Sequence, residues 1–145
     1  LQGAATQTVN VLVDTSVWSL ALRRTAPRDS SEARALIELI REGRVLMVGC
    51  VRQELLSGIR VRAQFERLRE HLRAFPDEPL DKEDFEEAAA CFNRCSARGV
   101  QGSATDFLLC AVAQRRHLPV LTTDRDFDRY ADVLGLALYR VESST

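Results

Sequence analysis

The chain has 145 residues, 46% of them hydrophobic and 28% charged, with a formal net charge of −1. That composition suits one soluble globular domain with one core, and it excludes a polycation that grips nucleic acid by bulk charge, so such binding has to come from a local patch. No apolar run reaches the roughly 20 residues needed to cross a bilayer.

Residues 1–8 (LQGAATQT) lack the basic and apolar regions of a signal peptide, and the expectation is an arm outside the fold. Val9 to Val13 reads as a buried strand that ends on Asp14. Ser16 to about Arg24 reads as a short helix, and Pro27 breaks it. The helical pattern restarts with Ser30 or Asp29 as cap and Glu32 in the first turn. Leu36, Ile37, Leu39 and Ile40 form its apolar stripe, and Gly43 stops it. Val45 to Val48 is a short apolar strand, of the kind found in sheets covered on both faces. A short helix carrying Glu54 and Leu55 follows, Gly58 interrupts, and another helix runs to about Leu72.

After the loop AFPDEP, Asp81 caps a long helix that Gly99 ends. Gly102 and Ser103 lead into the next helix, with Asp106 in its first turn. LPVLTTD is a strand that closes on Asp124. FDRYADVLG is a short helix or turn, and LALYRV is a last strand. Short apolar strands alternating with helices mean an α/β fold with a mostly parallel sheet. The expected domain spans 9–141, with 142–145 as a tail.

Cys50, Cys91, Cys95 and Cys110 form no disulfide framework, and with no export signal the natural setting is a reducing cytoplasm. His71 and His117 have no metal-ligand spacing with each other or with the cysteines. Lys82 is the only lysine, so arginine supplies the remaining basic side chains.

The acids carry the chemistry. Ligand sites in open α/β sheets lie outside the carboxyl ends of the strands. Two strands end on an acid, Asp14 and Asp124, and two helix starts that can face the same rim carry Glu54 and Asp106. Each acid has an ordinary explanation taken singly: Asp14 and Asp124 as caps, SATD as a capping box, Glu54 as a solvated helix residue. Caps do not require convergence, however, and four carboxylates on one rim repel unless a cation sits among them. Oxygen ligands of this kind suit Mg²⁺ or Mn²⁺. Such ions polarise a phosphodiester and activate water. With no histidine near the rim, a serine–histidine–acid triad has no support. Neither a P-loop nor a GxGxxG motif occurs.

The ordered motifs VDTSVW, Glu54-Leu55-Leu56-Ser57-Gly58, Arg98-Gly99, Ser103-Ala104-Thr105-Asp106-Phe107-Leu108-Leu109 and LTTDRDF resemble the PIN-domain ribonucleases, and most of all the VapC-type toxins of toxin–antitoxin pairs. The resemblance runs from about Val9 to Val141. It implies a PIN-like three-layer sandwich with about four or five strands in a mostly parallel central sheet. It implies Mg²⁺- or Mn²⁺-dependent endonucleolytic cleavage of RNA in the cytoplasm, with no membrane involved. The matching acids are Asp14, Glu54, Asp106 and Asp124, as catalytic groups and metal ligands. Ser16 and Thr123 match hydroxyl positions that support them, and Asp126 is an alternate fourth acid. The implied partners are the RNA substrate, a second copy of the chain and a small antitoxin protein. Arg23, Arg24, Arg98 and Arg125 lie near the acidic motifs without an assigned role.

Two other classes compete. A phosphohydrolase of the haloacid type would carry a second acid at Ser16, and a phospho-receiver would need a late-strand lysine that Lys82 does not supply. A non-catalytic PIN-like module binding RNA or protein would be favoured by loss of an acid of the set, and all four are present.

Overall fold

Val11, Leu12 and Val13 carry no polar side-chain atom, and all three are buried as strand β1 (Val11–Val13). The computed structural model describes residues 9–22 and 30–141. The expected arm at 1–8, the tail at 142–145, and Arg23, Arg24, Pro27 and Asp29 lie outside the described residues. After β1 come α1 (Thr15–Leu22), α2 (Ser31–Arg41), β2 (Val45–Leu46), α3 (Gly49–Leu56), α4 (Arg62–Leu72), α5 (Lys82–Ala97), α6 (Ala104–Arg116), β3 (Val120–Leu121) and α7 (Asp126–Leu134).

The sheet has the order β2-β1-β3 and both pairings are parallel, Val11 opposite Val45 and Leu12 opposite Val120. Helices flank it, as the alternating pattern required. Isolated parallel bridges, Met47 to Asp77 and Val120 to Leu138, extend both edges. The expected last strand is therefore reduced to one bridge, tied by the Tyr139 N–H to the Val120 carbonyl at 2.8 Å. A segment at a sheet edge has a partner on one side only, which limits its ladder.

Helix α6 holds the core. Seven successive residues, Phe107 to Ala113, are buried, so this helix is covered all round over two turns. Helix α2 is more one-sided. Ser30 caps it by accepting from the Ala33 N–H at 3.2 Å, and Ala33, Leu36 and Leu39 face inward. Ile37 and Ile40, expected in the stripe, are 42% and 38% exposed.

Asp84 locks α5 to α6. Asp81 and Asp84 form a reciprocal capping box at the start of α5. The wholly buried Asp84 carboxylate also accepts from Arg116 at 2.7 and 3.0 Å and from Arg115 at 2.5 Å. The Arg116 bonds above all, then the Asp81 backbone and Arg115, hold this carboxyl well below its ordinary range against the cost of burial. A carboxyl depressed in the folded state contributes stability above its unfolded value, near 3.8, and loses it as pH falls toward the folded value. Asp84→Asn is accordingly expected to flatten acid unfolding below about pH 4. At neutral pH it should cost about 1.5–3 kcal/mol, as for a hydrogen bond to a charged group. Urea unfolding at a series of pH values checks both outcomes.

Candidate active site

The chain leaves β1 for β2 on one side of the sheet and later returns to β3 on the other. The strand order reverses beside β1, and the crevice at the carboxyl ends there is where α/β sheets place their sites. Asp14 is the residue at that point. Its N–H still pairs with the Leu121 carbonyl of β3 at 2.9 Å, and its own carbonyl accepts from Val17 and Trp18 as α1 begins. The backbone is thus fixed from both directions and the carboxylate is set at the rim.

Asp14 is 5% exposed. Its Oδ2 accepts from Ser16 Oγ at 2.8 Å, from Thr122 Oγ1 at 2.9 Å and, weakly, from the Ser16 N–H at 3.4 Å. The N–H contact is cap-like, but the Thr122 bond comes from the far end of the chain and no cap requires it. Ser16, one of the two hydroxyl positions named from the sequence, makes its side-chain bond to Asp14. At the other hydroxyl position the side-chain contact belongs to Thr122. Thr123 contributes its backbone N–H, which donates to Ser16 Oγ at 3.1 Å. The shift of one residue follows from β3 ending at Leu121, a boundary the sequence places only to within a few residues.

Glu54 stands on α3 and is linked to the Asp14 segment by Thr15, whose Oγ1 donates to Glu54 Oε1 at 2.6 Å. Cys50, one turn earlier on α3, lies within the field of both acids. Burial, with the charges of Glu54 and Asp14 adding to it, pushes its thiol up to about 11, so it is inert as a nucleophile at neutral pH.

Asp106 sits in the first turn of α6, where Ser103 Oγ accepts its N–H at 3.0 Å. The capping box expected from SATD is only half formed. The Asp106 carboxylate turns to Tyr130 instead, whose hydroxyl donates to Oδ2 at 2.7 Å. Burial pushes the Asp106 carboxyl up, and the charges of Asp14 and Asp124 add to this, against the hydrogen bonds of Tyr130 and Ser103.

Asp124 has a double duty. Its N–H donates to Thr122 Oγ1 at 2.9 Å, and its Oδ1 accepts the Asp126 N–H at 2.9 Å as α7 begins. Its charge acts on Asp106 and on Tyr130, whereas Asp126 is exposed and acts on Tyr130. The structure therefore places Asp106 within electrostatic reach of both Asp14 and Asp124, with Glu54 joined to the Asp14 segment through Thr15.

Among the described residues, none of these four acids has an ion-pair partner, while Asp77, Glu78, Asp81 and Asp84 are all paired with arginine. Among the described residues, no group of three or more histidines, cysteines or carboxylates lies close enough together to hold a metal ion. The four acids offer hard carboxylate oxygens, with Glu54 exposed to solvent. That fits an ion such as Mg²⁺, which takes one or two carboxylates and keeps several waters.

Sequence reasoning did not single out Thr15, Thr122 or Tyr130. The first two stand beside chosen residues in the chain. For Tyr130 the only trace is Gly102, whose role emerges from the packing.

The PIN domain family model matches residues 11–133, and the chain belongs to the PIN-domain family. No curated protein matches it significantly. Among solved structures it is similar to FitAcB from Neisseria gonorrhoeae. The similarity covers 90% of this chain and 96% of that one, at 20% identity and a TM-score of 0.71, and it shows the shared fold.

Because crowding and burial raise the Asp106 carboxyl, its charge opposes folding once pH passes its unfolded value. In the absence of divalent cations, Asp106→Asn should be more stable than wild type at pH 7. The difference should close as pH falls below about 4, where the wild-type carboxyl is protonated in both states. Thermal melts in EDTA at a series of pH values measure this directly.

Proposed function

We propose that this PIN-domain protein is a divalent-metal-dependent endoribonuclease, and that it acts as the toxin of a VapBC-type toxin–antitoxin pair. The observation that carries the nuclease reading is the set of acids at the strand-order switch that have no ion-pair partner among the described residues. Asp14 and Asp106 are the proposed principal ligands of Mg²⁺ or Mn²⁺. Glu54 and Asp124 complete the set, directly or through water, and one of them orients the attacking water. Ser16 and Thr122 hold Asp14, and Thr123 braces Ser16 through its backbone. When bound, the ion supplies a polarised phosphodiester and a more acidic water. Attack by water leaves a 5′-phosphate and a 3′-hydroxyl.

The toxin role rests on the VapC-like order of the motifs. A basic antitoxin peptide would meet the carboxylates, with arginine as the natural side chain. A second copy of the chain is the other proposed partner. Phe85 and Phe92 on α5, seven residues apart and therefore on one helix face, are 55% and 48% exposed and support an apolar contact. No described helix is long and apolar enough to cross a membrane. The four free thiols support a reducing compartment, and the cytoplasm is the proposed location.

A non-catalytic PIN-like binding module is the second reading. The observation on its side is that no group of three or more acids lies close enough together to hold a metal ion among the described residues.

Cleavage of a mixed RNA pool by antitoxin-free protein separates the two. The nuclease reading expects cuts with Mg²⁺ or Mn²⁺ and none in EDTA. Loss of a supporting group costs about 10–100-fold in many metal sites, so loss of a direct ligand in Asp14→Asn or Asp106→Asn should cost at least about 100-fold. Cuts by Asp14→Asn at the wild-type rate would end this reading.

A further inference from the structure

The geometry points to Tyr130 as a positioning residue for Asp106, acting through a gap beside α6 that glycine at 102 keeps open. The inference rests on reading Asp106 as a metal ligand and adds a residue that the motif order does not contain.

Tyr130 lies on α7 and is wholly buried, yet its hydroxyl reaches the rim and donates to Asp106 Oδ2 at 2.7 Å. The ring is held on two sides. Its centroid lies 5.0 Å from that of Phe107, the residue after Asp106, and 5.0 Å from that of Phe127 on its own helix. Phe107 is braced in turn by Phe92 of α5. A ring packed in this way has little freedom, so its hydroxyl is a fixed donor and the carboxylate it meets is fixed with it. Second-sphere donors of this kind orient metal ligands and tune their affinity.

Gly102 supplies the independent observation. A Cβ built at this position would lie 2.7 Å from Tyr130 Cζ and 2.9 Å from Cε1, closer than real Cβ atoms come. Gly102 is not among the residues with positive φ, so backbone conformation does not explain the glycine. What it provides is room for the phenol to pass the loop before α6 and reach Asp106. The same loop supplies the cap Ser103, whose bond to the Asp106 N–H fixes the backbone of the residue. Ser103 thus sets the main chain of Asp106 and Tyr130 sets its side chain. The carboxylate that SATD would otherwise turn back onto its own helix is directed to the rim.

The test is Mn²⁺ affinity, by calorimetry on the full chain, together with melting in EDTA. Tyr130→Phe keeps the ring and removes the hydroxyl. It should weaken Mn²⁺ binding about 10–100-fold, beyond any drop in melting temperature in EDTA from the lost hydrogen bond. A purely structural tyrosine would lower the melting temperature and leave Mn²⁺ affinity unchanged, and that result overturns the inference. Gly102→Ala retains the hydroxyl but displaces it. It should weaken Mn²⁺ binding in the same direction, and it decides the matter if Tyr130→Phe does not fold. Asp106→Asn is the control for the underlying reading. If it binds Mn²⁺ as wild type does, Asp106 is no ligand and both claims fail. If Asp106→Asn loses affinity and Tyr130→Phe does not, only the role of Tyr130 fails.

Discussion

Where the central strand of the sheet ends, a nearly buried carboxylate is met by two hydroxyls and a long amide contact, and by no cation among the described residues. Removing a charge from water without pairing it is costly, and Asp14 incurs that cost at the end of the central strand. Its backbone is clamped between β3 and the start of α1, so it cannot swing out to solvent as a surface acid would. Asp106 and Asp124 then add charge of the same sign. The arrangement is consistent only if the fold is stable enough to carry the repulsion, or if a cation relieves it.

Asp84 shows how the same chain treats an acid whose task is structural. It is more deeply buried than Asp14, and it is surrounded by two arginines and a capping box. Its charge is satisfied and it joins α5 to α6. That junction keeps α6 in place, and α6 carries Asp106 on its first turn. One buried acid is thus paired to build the framework, while the other, Asp14, has no ion-pair partner among the described residues. Functional sites commonly hold groups that weaken the fold, and here Asp14 and Asp124 follow strands while Asp106 and Glu54 stand on helices.

Much of this was legible in the chain. An apolar run closed by an acid is visible as VLVD, and the alternation of short strands with helices indicates a parallel sheet without any knowledge of packing. The order of the four acids was visible too, since each lies beside an element end. What lay beyond reach depends on contacts between distant segments. Thr122 and Thr123 have the same chemistry, and only the end of β3 decides which hydroxyl meets Asp14. The SATD segment reads as a capping box because its rule is local, and the phenol that draws Asp106 away comes from α7. The exposure of Ile37 and Ile40, and of Phe85 and Phe92, is likewise set by which neighbours cover them. A glycine before a helix cap reads as punctuation until the ring passing beside it is seen.

The proposed role of the acids at the end of β1 and the start of α6 is to hold a divalent cation. The most direct measurement is an anomalous difference map from crystals grown with Mn²⁺. The account predicts a peak in contact with Asp14 and Asp106, with Glu54 and Asp124 near enough to reach it directly or through water. Well-ordered carboxylates with no peak between them, or manganese bound only elsewhere on the molecule, would contradict it.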